Sequence, residues 1–154
     1  MGTLMFQWAA RGCDKKRCMK IALNSDLIIS SLLPQFFEKS ERVDGDGGVG
    51  TTRIITLGSA ITGGIERQNK ERILEYDEEA GTMAWELVDD HRYSKLQTSM
   101  KVVECSNGKD SVIHWQMEYE PRDPDTLPPE DIKMLHLQAM KAIQSYGDEH
   151  HDWP

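Results

Sequence analysis

The chain of 154 residues is long enough to bury one apolar core without disulfide or metal staples. Its 18 Lys and Arg stand against 26 Asp and Glu, and the resulting formal net charge of −8 argues against a nucleic-acid backbone or an anionic membrane as the main partner. Cysteines only at 13, 18 and 105, no apolar run of membrane-spanning length and no secretory-signal pattern at the N-terminus point to the reducing cytosol, with the nucleus open as well.

In chain order, residues 3–10 (TLMFQWAA) read as a first strand. Asp14 is placed to cap a short helix through about residue 23, with Cys18, Ile21 and Ala22 on one face. Residues 26–33 (DLIISSLL) predict a second short helix, stopped by Pro34 because the residue before proline is driven out of helical geometry. Strands follow at 36–43, 51–57, 65–76, 81–88, 95–104 and 111–120. Their links carry turn chemistry: GDGGVG at 45–50, GSAITGG at 58–64, DEEA at 77–80, DDHRYS at 89–94 and SNGKD at 106–110.

GDGGVG has the G-x-G-x-x-G spacing of a dinucleotide-binding loop through Gly45, Gly47 and Gly50. Such a loop works between a strand and a helix, where backbone N–H groups and the helix N-terminus receive the pyrophosphate. Here the β-branched run TTRIITL predicts a strand instead, and Asp44 and Asp46 would repel a phosphate. Thr51 also stands where a phosphate loop has its lysine. Gly45, Gly47, Gly48 and Gly50 therefore read as a structural link between two antiparallel strands.

The clearest period of two places Ile113, Trp115, Met117 and Tyr119 on one face, opposite His114, Gln116, Glu118 and Glu120. Met83, Trp85 and Leu87 repeat the pattern, as do Leu96, Thr98, Met100 and Val102. These dry faces need a cover. Pro128 and Pro129 before Glu130 and Asp131 suit the first turn of a long helix, and Gly147 suits the position just past its end. Ile132, Leu135, Ala139, Ile143 and Tyr146 form its stripe, widened by Met134, Leu137 and Met140. Residues 148–154 read as a flexible acidic tail. The expected fold is α+β: a curved antiparallel sheet of about seven strands gripping a long C-terminal helix, with two short helices near the N-terminus. Such a grip either packs tight or encloses a cavity, and eight methionines and four tryptophans suit both outcomes.

The run LLPQFFEKSERVDGDGGVGT at 32–51 resembles the plant Bet v I superfamily, START-like proteins that include pathogenesis-related class-ten proteins, major latex proteins and norcoclaurine synthases. WQMEYEP at 115–121, with DPDTLPP after it, is similar to a major latex protein pattern, and the likeness covers residues 3–147. The resemblance implies a single ligand-binding domain over 1–147 with a helix-grip fold. It implies an intracellular carrier or sensor, a monomer or weak dimer, for a small hydrophobic or amphipathic plant molecule: a hormone, alkaloid, flavonoid or fatty-acid-like compound. The implied setting is defence or stress, with no metal and no cofactor. On this likeness the cavity is lined by Leu57, Met83, Trp85, Leu87, Thr98 and Met100, by Ile113, Trp115 and Met117 on the last strand, and by Met140 and Ile143 on the helix.

KERILEYDEE at 70–79 resembles the strand of abscisic-acid receptors that carries a pocket glutamate, which puts Glu71 inside the cavity with Asn69 beside it. FEKSERV places Lys39 where those receptors hold the hormone carboxylate, and His91, Arg92 and Tyr93 resemble their latch. A receptor-like role would imply a protein phosphatase as partner, but GSAITGG departs from the receptors' S-G-L-P-A gate. The alternative is a norcoclaurine synthase-like enzyme catalysing condensation or isomerisation of a secondary metabolite. Thr82 and Thr98 align with that enzyme's lysine and aspartate and cannot shuttle a proton at neutral pH, leaving Glu71 as the candidate general base. The DEHHD segment at 148–152 has metal-capable side chains but reads as solvated tail.

Overall fold

Alternation decides the architecture. The computed structural model describes residues 1–154, with strands β1 (Gly2–Ala10), β2 (Phe37–Asp44), β3 (Thr52–Leu57), β4 (Gln68–Asp77), β5 (Thr82–Val88), β6 (Tyr93–Glu104) and β7 (Ser111–Pro121). They form one antiparallel sheet in the order β1-β7-β6-β5-β4-β3-β2. Leu96, Thr98, Met100 and Val102 on β6 and Ile113, Trp115 and Met117 on β7 are all buried, as period-two patterning requires. Register shifts in β2, β4 and β6 bend the sheet around this face.

The cover is α4 (Glu130–Glu149), which contributes Ile132, Leu135 and Ile143 to the same apolar core. Near the N-terminus, α1 (Lys15–Asn24) starts where the Asp14 side chain accepts the Arg17 N–H at 2.8 Å. Its Cys18, Met19 and Ile21 are buried against the sheet, and α1 contacts β6.

Three expectations need correction. The 26–33 segment is not one helix: a 3-10 turn at Ser25–Leu27 precedes the four-residue α2 (Ile29–Leu32). The break turns Asp26 inward onto Arg42 and Arg53. GSAITGG is not a bare turn, because α3 (Ser59–Thr62) forms a single helical turn ended by Gly63 at φ +66°, and β4 begins at Gln68 and not at 65. Finally, α4 does not end before Gly147. It runs to Glu149, since Gly147 packs against Arg17, whose Nη2 donates to the Gly147 and Trp153 carbonyls at 3.1 and 3.3 Å.

The glycine-rich loop leads from β2 into β3, with no helix after it. Its donors are turned inward: Gly47 N–H goes to Thr51 Oγ1 at 2.8 Å and Gly50 N–H to the Ile73 carbonyl at 2.8 Å. Gly45, Gly47 and Gly50 have φ of +96°, +105° and +88°, whereas Gly48 is not in that region. A Cβ on Gly45 would meet Thr51 Oγ1 at 2.5 Å and Thr51 Cα at 2.7 Å, while one on Gly50 meets nothing within 4 Å. Gly45→Ala should therefore cost about 3 kcal/mol, combining strain with a clash against backbone. Gly50→Ala, with strain alone, should cost about 1 kcal/mol. Equal losses in urea unfolding would show that the contact with Thr51 does not matter.

Candidate functional site

Sheet and helices do not close completely on each other. A cavity of about 130 Å³ lies between them, lined from the sheet by Leu57, Met83, Trp85, Leu87, Met100 and Trp115, and from the helices by Ile29, Leu135, Ala139, Met140 and Ile143 among others. A cavity of this size accepts a molecule of about one aromatic ring.

One end is polar. Arg53 on β3 is directly opposite Glu71 on β4, and its Nη2 lies 2.6 Å from Glu71 Oε1. On its other side Arg53 is opposite Arg42 of β2, a like-charge pairing that repels unless an anion intervenes. Asp26 is that anion. It takes Arg42 Nε and Nη2 at 2.8 and 2.9 Å and stands 3.7 Å from Arg53 Nη1. Asp26, Arg53 and Glu71 are buried and Arg42 is half-buried, and in this network two cations balance two anions. Glu71 shares the inward side of β4 with Asn69 and Ile73, and Asn69 and Thr98 complete the polar end.

His136 of α4 also lines the cavity. Its ring stacks on Trp85, with centroids 5.6 Å apart and 17° between planes, and meets Phe6 and Trp115 edge-on. Nδ1 lies 2.8 Å from the Ile132 carbonyl, which assigns the proton to Nδ1 and leaves Nε2 as an acceptor. Burial lowers its pKa from the ordinary 6.5; the carbonyl bond and Glu71 oppose this, and Arg53 adds to it.

Among the residues singled out from the sequence, Leu57, Asn69, Glu71, Met83, Trp85, Leu87, Thr98, Met100, Trp115, Met140 and Ile143 line this one cavity. Lys39 does not. A register shift between Phe37 and Lys39 turns it outward, where it is exposed and pairs with Glu41 at 2.9 Å. Ile113 and Met117 are buried in the core without touching the cavity. Thr82 is likewise outside, its hydroxyl donating to Glu75. Of the latch-like residues, Arg92 pairs with Asp131 at the start of α4 and Tyr93 donates to the Leu127 carbonyl. Arg67 joins on the same Asp131 oxygen, and the two guanidinium groups outweigh burial to hold that carboxyl below its usual pKa.

The sequence reading missed Arg53, Asp26 and His136. For His136 a signal existed: it lies four residues after Ile132 and seven before Ile143, on the stripe itself. Arg53 alternates with Ile55 and Leu57, which marks an inward side chain, but a charge there is unreadable without its partners.

Residues 16–148 match the profile of the Pathogenesis-related protein Bet v 1 family. The chain is 28% identical over 137 residues to Major allergen Mal d 1 of Malus domestica, covering 84% of this chain and 83% of that protein. Among solved structures, ginseng major latex-like protein 151 from Panax ginseng superposes with a TM-score of 0.78 at 18% identity, covering 94% of this chain and 96% of that one. Norcoclaurine synthase from Thalictrum flavum, in complex with dopamine and hydroxybenzaldehyde, superposes with a TM-score of 0.73 at 22% identity, covering 97% of this chain and 87% of that one. These structural likenesses establish the shared fold.

Removing Arg53 should be severe, because Arg53→Met strands Glu71 in an apolar setting: about 4 kcal/mol in urea unfolding, partly recovered by adding Glu71→Leu. A loss below about 1 kcal/mol would mean that water screens the pair. His136 gives a separate signature. The unfolded chain protonates it near 6.5, above the folded value, so the unfolded state binds more protons as pH falls below 6.5. Its contribution to stability is whole above that pH and declines as the pH falls below it. His136→Phe should flatten this limb of the stability–pH curve.

Proposed function

Because the chain belongs to the Pathogenesis-related protein Bet v 1 family, we propose that it holds one small apolar or amphipathic molecule between sheet and terminal helix, as a carrier or sensor. The observation that carries this reading is the cavity, walled largely by apolar side chains such as Met83, Trp85, Met100, Trp115 and Met140, with a few polar groups including Arg53, Asn69 and His136. Apolar burial at about 25 cal/mol per Å² drives binding, and the few polar groups orient the ligand. A defence or stress setting is part of the proposal and rests on the family's description.

Holding is favoured over transforming. Glu71, the residue suited to act as general base, is engaged by Arg53 at 2.6 Å, and no lysine lines the cavity. The outward position of Lys39 removes the contact on which a hormone carboxylate would depend, so phosphatase docking is no part of the proposal. No helix is long and apolar enough to cross a membrane.

Trp85 and Trp115 line the cavity, so their fluorescence reports its filling. Titration with propylbenzene should saturate at one equivalent with a Kd of about 0.1 mM, equivalent to about −5.5 kcal/mol. Ala139→Trp, which places an indole in the cavity, should abolish the response while the variant still unfolds cooperatively. Absence of saturable binding by the wild type would overturn the carrier reading.

A further inference from the structure

Two of the three cysteines meet at the start of α1. Asp14 caps that helix, so Cys13 immediately precedes the cap and Cys18 is the fourth residue inside, positions whose side chains pack on each other to fix how a chain enters a helix. Apolar side chains ordinarily do this; here it is two thiols. Cys18 Sγ lies 2.9 Å from Cys13 Sγ, closer than ordinary contact between sulfurs and about 0.9 Å beyond the length of a disulfide bond. Gly12 N–H donates to Asp110 Oδ1 at 2.7 Å, Ser111 Oγ to the Cys13 carbonyl at 2.7 Å and Lys15 N–H to Glu104 Oε1 at 3.1 Å. These ties to the β6–β7 hairpin, on both sides of Cys13, keep the two sulfurs facing each other.

The thiols are not equivalent. Cys18 is 2% exposed and donates its proton to Cys13 Sγ, a bond that together with burial raises its pKa. Cys13 is 9% exposed, between the exposed Gly12 and Asp14, and is the thiol nearer to solvent. Its pKa is lowered, because the bond from Cys18, helped by the Arg17 guanidinium, outweighs burial and the carboxylates of Asp14 and Asp148. One sulfur is thus suited to attack and the other to resolve. Neither lines the cavity.

We propose that Cys13 and Cys18 form a reversible redox site, a dithiol that a hydroperoxide converts to a disulfide across the start of α1. The Cys13 thiolate attacks one peroxide oxygen, the O–O bond breaks, and the departing alkoxide takes up the proton that Cys13 released, leaving a sulfenic acid. The Cys18 sulfur then attacks the Cys13 sulfur, the S–O bond breaks, and the departing hydroxide takes the Cys18 proton to become water. Two thiols and one hydroperoxide give one disulfide, one alcohol and one water, with two electrons passing from sulfur to the O–O bond. Two equivalents of a small thiol restore the dithiol by exchange and become a disulfide themselves. The bond braces the first turn of α1, from which Arg17 holds the Gly147 and Trp153 carbonyls. This site stands or falls apart from the carrier reading.

The test treats the reduced, folded protein with hydrogen peroxide at pH 7, alkylates the remaining thiols and digests with trypsin without reductant. Cleavage after Arg11, Lys15, Arg17 and Lys20 separates residues 12–15 from 18–20, two peptides that only a disulfide can join. The joined pair should dominate, with the half-buried Cys105 still alkylated, and dithiothreitol should release it. Cys13→Ala should slow oxidation of Cys18 by about tenfold, and Cys18→Ala should leave a Cys13 sulfenic acid that dimedone traps. The oxidised wild type, which needs no substitution to fold, should melt about 3 °C above the reduced form. If both thiols survive the peroxide, if the link forms only in urea, or if Cys105 is oxidised before Cys13, the redox assignment is wrong. A melting temperature unchanged by the link would overturn the bracing of α1.

Discussion

A guanidinium sealed inside an apolar fold has to be answered by carboxylates, and the cavity end of this protein is arranged around that requirement. Arg53 sits on β3 between Arg42 on one neighbouring strand and Glu71 on the other. Glu71 neutralises it across the ladder, while the repulsion from Arg42 is relieved by Asp26, which comes from the helical layer. To deliver that carboxylate the chain abandons a continuous second helix and makes a 3-10 turn at Ser25–Leu27. The ion network thus ties the short helices to three strands at once. A purely apolar contact would bind them without fixing their register.

The same constraint shapes the cavity. Side chains committed to the network cannot fill space as leucines would, and the ring of His136 on α4 is held off by its stack on Trp85 and its bond to the Ile132 carbonyl. What remains is apolar volume with one polar end whose hydrogen-bonding capacity is only partly used inside the protein. Buried networks are stabilising when every member is matched; here Arg53, Asn69 and Thr98 each keep a buried atom without a hydrogen-bond partner.

The opposite approach to α4 is held by a second, more exposed cluster. Asp131 in the first turn of the helix takes Arg67 from the segment before β4 and Arg92 from the β5–β6 link on one oxygen. A carboxylate there also suits the positive end of the helix dipole. Tyr93 reinforces the same junction by donating to the Leu127 carbonyl. The segment before β4 and the latch-like link before β6 are therefore fastened to the helix start by charge, whereas the Asp26 end is fastened by buried ion pairs.

Which parts of this were legible without coordinates follows from the range of each force. Period-two and helical apolar patterns are local, so the sheet, the long helix and the inward faces of β6 and β7 could be read directly, and the motifs at 32–51 and 115–121 pointed to the family that residues 16–148 match. The glycine loop was readable as a turn because a strand, not a helix, follows it. Lys39 went astray through one bulge, since a single inserted residue reverses the face of everything after it and leaves little trace in composition. Arg53, Asp26 and His136 were missed because a buried charge or ring is defined by partners 16 or more positions away: Glu71 for Arg53, Arg42 and Arg53 for Asp26, Trp85 for His136. Local patterns carried the alternation, the Asp14 cap and the family likeness. That Glu71 is engaged by Arg53, and that Arg53, Asn69 and Thr98 are left with unmatched buried atoms, could be read only from the fold, because the matching of donors to acceptors is settled in space, across strands, after the chain has folded.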